Sequence, residues 1–115
     1  MPFLILYVGE GRKFDQLAVA NAMRNWAEPS QPCDDCLATY QFKMGKDSTT
    51  IRIKDDEETI VIDGSGEASL SAALHIQSKY PDDIHMVDEG YSFDLVLNEI
   101  ASLDELRDRI NDAGG

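Results

Sequence analysis

Between Thr59 and Asn98 the chain has almost no slack, and this stretch constrains the fold more than any other. An apolar run, Thr59–Asp63, meets Gly64-Ser65-Gly66, and a helical stripe then extends from Glu67 to Tyr80. Two more apolar segments follow, Ile84–Asp88 and Tyr91–Asn98, with only Glu89-Gly90 between them. A connection that short joins two strands only as an antiparallel hairpin. In the second of these strands Tyr91, Phe93, Leu95 and Leu97 alternate with Ser92, Asp94, Val96 and Asn98, the period-two pattern of a strand with one buried face. In the helix Leu70, Ala73 and Leu74 form one stripe, with Ile76 and Tyr80 beside it, and Pro81 stops it.

The first half repeats this order loosely. Pro2–Val8 is apolar without alternation, which predicts a central strand covered on both faces. Gly9-Glu10-Gly11 ends it, and Arg12–Ala27 reads as a helix with Val19, Ala22, Met23 and Trp26 on one stripe. Glu28–Leu37, with Pro29 and Pro32, reads as irregular loop. Ala38, Tyr40, Phe42 and Met44 then alternate with polar residues in one strand, and Ile51 and Ile53 do so in a second, Thr50–Lys54. After Asn98, Ser102-Leu103-Asp104-Glu105 is a capping box that opens a last helix with Leu103, Leu106 and Ile110 inward. The expected fold is a single α+β domain over residues 1–115. Its order is βαββ-βαββα, a possible βαββ pseudo-repeat, with a mostly antiparallel sheet of about six strands and helices on one face.

At 115 residues the chain is long enough to bury a core without staples. Its longest apolar run, Phe3–Val8, is far short of the roughly 20 residues a membrane-spanning helix needs. No basic flank and cleavage site mark a signal peptide. A soluble cytoplasmic protein that does not contact membrane is expected.

Net charge is −12 and is unevenly placed. Residues 1–54 hold six acids against seven bases, +1, and residues 55–115 hold 16 acids against three bases, −13. Such a chain repels phosphate backbones, because nucleic-acid affinity comes largely from counterions released by Lys and Arg. Direct nucleic-acid binding is therefore not expected, and a basic protein surface is the favoured partner.

The motifs that could carry chemistry are incomplete. Gly9-Glu10-Gly11-Arg12-Lys13 resembles part of a phosphate cradle, but lacks the third glycine of a dinucleotide fingerprint and the Gly-Lys-Ser/Thr of a P-loop. Turn chemistry is the simpler account of both Gly-x-Gly pairs. Cys33-Asp34-Asp35-Cys36 has zinc and redox spacing, yet one pair is half a zinc site, and two aspartates raise rather than lower a thiol pKa. Free thiols are expected, ahead of zinc and of a local disulfide. His75 and His85 have no spacing that asks for a nucleophile. No cofactor, metal or catalytic residue is expected.

What remains is the four carboxylate groups of the second half, Asp55–Glu58, Asp82-Asp83, Asp88-Glu89 and Asp104-Glu105. Asp55, Asp56, Glu57, Glu58, Asp82, Asp83, Asp88 and Glu89, with Tyr91 as an aromatic anchor, are the expected partner-binding residues of one acidic surface. The function class that follows is a small non-enzymatic inhibitor, of the toxin-neutralising immunity or anti-defence kind, that blocks a basic active site or nucleic-acid-binding surface. The alternative is a regulatory domain that takes a nucleotide or other small anion at the Gly-x-Gly turns.

Overall fold

The computed structural model describes residues 3–9, 11–31, 33–64, 66–90 and 93–114. Its elements are β1 (Phe3–Tyr7), α1 (Gln16–Met23), β2 (Glu28–Ser30), β3 (Cys36–Met44), β4 (Asp47–Lys54), β5 (Ile60–Asp63), α2 (Glu67–Lys79), β6 (His85–Asp88), β7 (Asp94–Val96), a 3-10 turn (Leu97–Glu99) and α3 (Leu103–Gly114). The strands form one seven-stranded sheet in the order β2-β3-β4-β5-β1-β6-β7. Every neighbouring pair is antiparallel.

The α+β class, the antiparallel sheet and the three helices agree with the sequence pattern, and the seventh strand is β2. It lies where two prolines predict an irregular loop. Pro29 pairs with Tyr40 at the sheet edge, and an edge strand tolerates the missing N–H because it has only one neighbour. The last strand is shorter than its alternation suggests: Leu97 has left the ladder for the 3-10 turn, donating its N–H to Ile84 O at 2.8 Å, yet stays buried. Helix α1 is shorter too. Asp15 caps it, accepting from Leu17 N and Ala18 N, and Asn25 at φ 60° prevents its continuation.

The pseudo-repeat does not extend beyond element order. Strand β4, the second strand of its hairpin, pairs with β5, whereas β6, the first strand of the other hairpin, pairs with β1. The two βαββ units therefore dock on the central β1–β5 pair in different senses.

The core lies between the sheet and the helices. Leu4, Leu6, Ile51, Ile53, Ile60, Ile62 and Met86 point to one face and are buried with Val19, Ala22 and Met23 of α1, Leu70, Ala73 and Ile76 of α2, and Leu106 of α3. Ala72 and Ala73 let α2 approach the strands closely, and α1 and α3 pack on either side of it. Strand β1 is central but covered on one face only, against the sequence expectation. Leu4 and Leu6 are buried while Phe3, Ile5 and Tyr7 are half-buried. On that open face Ile5 is shielded laterally, by Val61 of β5 and Val87 of β6 in register beside it.

Candidate functional site

The sheet order turns a charge bias along the chain into one across the molecule. Residues 81–114 comprise β6, β7, the 3-10 turn, α3 and their connections, and hold ten acids against Arg107 and Arg109, a net −8. They form the β7 edge of the sheet and the helix that follows it. At the other edge, residues 24–54 hold five bases against four acids, +1.

On the acidic flank, α3 exists because its apolar stripe has somewhere to go. Leu106 is fully buried, and Leu103 and Ile110 pack against the core. Ser102 Oγ accepts the N–H of Glu105 at 3.1 Å, and the Glu105 carboxylate accepts from Ala101 N at 3.4 Å, the expected cap shifted by one residue. The opposite stripe presents Asp104, Asp108 and Asp112, all exposed. At four-residue spacing they stand about 6 Å apart along the helix. Both arginines of the flank are already engaged, Arg107 with Glu67 at 2.7 Å and Arg109 with Glu105 at 3.7 Å. They leave the aspartate stripe without a cation partner among the described residues.

The structure divides the expected docking residues between the two ends of the sheet. Asp55, Asp56, Glu57 and Glu58 form the β4–β5 turn, and Asp82 and Asp83 precede β6. Both groups lie at the end of the sheet where β1 finishes, since Leu6 pairs with Ile60 and Tyr7 with His85. Asp88 pairs with Leu4 and leads with Glu89 into the opposite end, about 10 Å away along β6. Tyr91 lies outside the described residues.

Several of these acids have structural work. Asp56 Oδ1 accepts from Glu58 N and Thr59 N and so closes its turn. Glu57, at φ 63°, pairs with Lys13 at 3.6 Å and accepts Phe14 N on its carbonyl at 2.7 Å. Asp82 faces Arg12 at 3.8 Å, and Asp83 accepts from Asn98 Nδ2 at 2.9 Å. Arg12 and Lys13, which the sequence suggests as phosphate ligands, thus serve as counterions to acids remote in sequence. Sequence reasoning groups Asp104-Glu105 with the other carboxylates but leaves the pair out of the docking residues, and it misses Asp94, Glu99, Asp108 and Asp112 on this flank. Their signal was present in the four-residue repeat of Asp104, Asp108 and Asp112 on the outer stripe of the last helix.

The helix N-termini that would serve an anion are filled from within. Asp15 occupies that of α1. Asp47, at the start of β4, reaches across to accept Ala68 N at the start of α2 at 2.9 Å. Gly66 is needed for this contact: its φ is ordinary, but a Cβ there would stand 2.8 Å from Asp47 Oδ2.

Three side-chain clusters remain, one of them bordering the acidic flank. Trp26, after α1, is sandwiched between Phe42 at 3.9 Å and His75 at 4.0 Å, with nearly parallel rings. His75 Nε2 is 2.8 Å from Ala22 O, and burial holds its pKa below the usual imidazole value. On the open face Tyr7 donates to Asp94 Oδ2 at 2.6 Å, and His85 Nδ1 lies 3.3 Å from Asp94 Oδ1. Finally, Cys33 and Cys36 are joined as a disulfide where free thiols are expected. The turn between them, with Cys36 N donating to Cys33 O, sets their Cα atoms 5.1 Å apart, within disulfide range. Asp35 between them is hydrogen-bonded by Lys54, which holds its carboxyl below the usual carboxylate range.

No helix among the described residues is long and apolar enough to cross a membrane. Comparison with known protein families, curated proteins and solved structures returns no match.

Proposed function

We propose that this is a cytoplasmic, non-enzymatic binding protein that docks its β6–β7–α3 flank on a basic surface of a partner protein. Inhibition of a toxin or of a nucleic-acid-handling enzyme is the role such docking suits. The observation that carries this reading is the net −8 gathered at one edge of the sheet while its two arginines are held by glutamates. A field of that kind speeds encounter with a positive surface and penalises wrong partners. It also repels nucleic acid, so the occupant of the flank is protein. Asp88 and Glu89 belong to this surface, with Asp82 and Asp83 at its border. Asp55, Asp56, Glu57 and Glu58 add only to the long-range field.

The nucleotide alternative is less well supported. Asp15 and Asp47 already supply the negative charge that a phosphate would bring to the starts of α1 and α2.

The test is capture of a partner from the native host on immobilised protein, with elution by a salt gradient. A specific partner elutes as salt rises, is basic, and is lost when Asp104, Asp108, Asp88 and Glu89 are reversed to lysine. It is retained when Asp34 and Asp35 are reversed. A partner held through 1 M salt, or held equally by the flank variant, overturns this assignment.

A further inference from the structure

We propose that the β2–β3 connection is a redox-gated metal site, in which reduced Cys33 and Cys36 and the carboxylate of Asp35 hold one borderline-soft divalent cation of the zinc type. Formation of the disulfide closes it. The sequence supplies only half a zinc site; the structure adds a third donor from within the same turn. The two sulfurs and a carboxylate oxygen of Asp35 all lie within 4.8 Å of one another.

Asp35 Oδ1 lies 3.3 Å from Cys33 Sγ and 3.8 Å from Cys36 Sγ. In a tetrahedral zinc site, with Zn–S near 2.3 Å and Zn–O near 2.0 Å, a sulfur and an oxygen ligand stand about 3.5 Å apart. The oxygen is thus already at ligand-to-ligand distance from both sulfurs. A carboxylate has no hydrogen bond to make with a disulfide, because neither group carries a proton to donate. Other groups hold it there: Lys54 donates to Oδ2, leaving Oδ1 toward the sulfurs, and Asp55 N donates to Asp35 O at 2.9 Å. The backbone bond from Cys36 N to Cys33 O closes the turn and holds the two Cα atoms near one another without the disulfide's help.

The charges close as well. A divalent cation, two thiolates, the Asp35 carboxylate and the Lys54 ammonium sum to zero. The aspartates that make this pair a poor thiol–disulfide catalyst are the feature that favours a cation. Three protein donors leave one position of a tetrahedral ion for water.

The gating step is a two-electron exchange. Two thiols of a cellular reductant of the glutathione or thioredoxin class become a disulfide, the Cys33–Cys36 bond breaks, and each sulfur takes one proton. Cation binding then releases those two protons to solvent. In a reducing cytoplasm the dithiol form is the expected one.

The test uses the full chain, reduced with a phosphine and freed of reductant without air, then titrated with Co2+ and displaced by Zn2+. The expected result is one Co2+ per chain with thiolate-to-cobalt charge-transfer absorption, absent from the oxidised protein and from Cys33→Ser and Cys36→Ser. Asp35→Asn should lower affinity at least about tenfold, the smaller of the losses seen even for outer-shell partners, with an unchanged circular dichroism spectrum. The site is refuted if no charge-transfer band appears, if the oxidised protein takes up the ion equally, or if Asp35→Asn binds as tightly as wild type. Uptake without the band marks adventitious binding by surface carboxylates and refutes it too.

Discussion

The two edges of the sheet use charge differently. At the β2–β3–β4 edge the near-balance of signs lets charges pair within the structure: Arg52 with Asp63, Lys54 with Asp35, and Asp47 with the start of α2. At the β6–β7–α3 edge acids outnumber bases, both arginines are taken by glutamates, and a stripe of aspartates without a cation partner among the described residues projects from a helix anchored by its other face. Charges that are parts of a structure and charges that form its surface look alike in composition. What separates them is whether the fold places a partner opposite, and this makes the comparison one that mutations can break.

The largest effect should come from cutting the anchor of the acidic edge. Leu106 is fully buried and is the central residue of the α3 stripe, so Leu106→Ala should cost about 3 kcal/mol in urea unfolding, the usual range for a buried leucine. A cost below about 1 kcal/mol would mean that α3 is loosely held and that its aspartates are not on a rigid surface.

A smaller effect tests the committed charges. Gly66→Ala places a Cβ against Asp47 Oδ2 and should push that carboxylate off the N-terminus of α2. Asp47→Ala removes the same contact. Each should cost about 1 kcal/mol, as loss of a helix cap does, and the double variant should cost little more than the worse single one, since both remove one interaction. Full additivity would show that the glycine matters for some other reason.

Neutralising the aspartate stripe should do almost nothing to the fold. Asp104→Asn, Asp108→Asn and Asp112→Asn together should change stability by no more than about 0.5 kcal/mol, because relief of repulsion between like charges four residues apart opposes the loss of Asp104's favourable place in the first turn of α3. A loss of several times that amount would make these residues structural and remove the contrast between the edges.

This contrast explains what could be read from the chain. The class of fold was legible because burial imposes its period wherever one face is wet, as in Ala38–Met44 and along Leu103, Leu106 and Ile110. Strand β2 was not, because Pro29 breaks an interior strand and an edge strand alike in local propensity, and only the finished sheet shows that β2 has a single neighbour. At its C-terminal end the extra length expected of β7 comes from Leu97, which keeps its inward position through the 3-10 turn and so continues the alternation after the strand has ended. The pairings of Arg12 with Asp82 and of Lys13 with Glu57 join residues far apart in the chain, and nothing local announces them. The acidic edge was half legible. Adjacent carboxylates such as Asp55–Glu58 stand out in the linear sequence, whereas the four-residue spacing on α3 matters only once the helix has a known inner face.

The smallest predicted effect concerns the aromatic stack at the near-neutral edge. Burial between Trp26 and the end of α1 lowers the pKa of His75, opposed by the carbonyl of Ala22 and assisted weakly by Lys79. In the unfolded chain the imidazole titrates near its ordinary 6.5. As pH falls through that value the unfolded state therefore binds a proton before the folded state does. Stability should be unaffected by His75 above pH 6.5, decline as pH drops below it, and stop declining once the folded imidazole is protonated too. Urea midpoints measured from pH 7.5 to 5 should show this fall in the wild type, and His75→Phe, which keeps a ring against Trp26, should lessen it. If the fall is the same in both proteins, the neutral state of His75 is not what the stack depends on, and the acid sensitivity arises elsewhere in the chain.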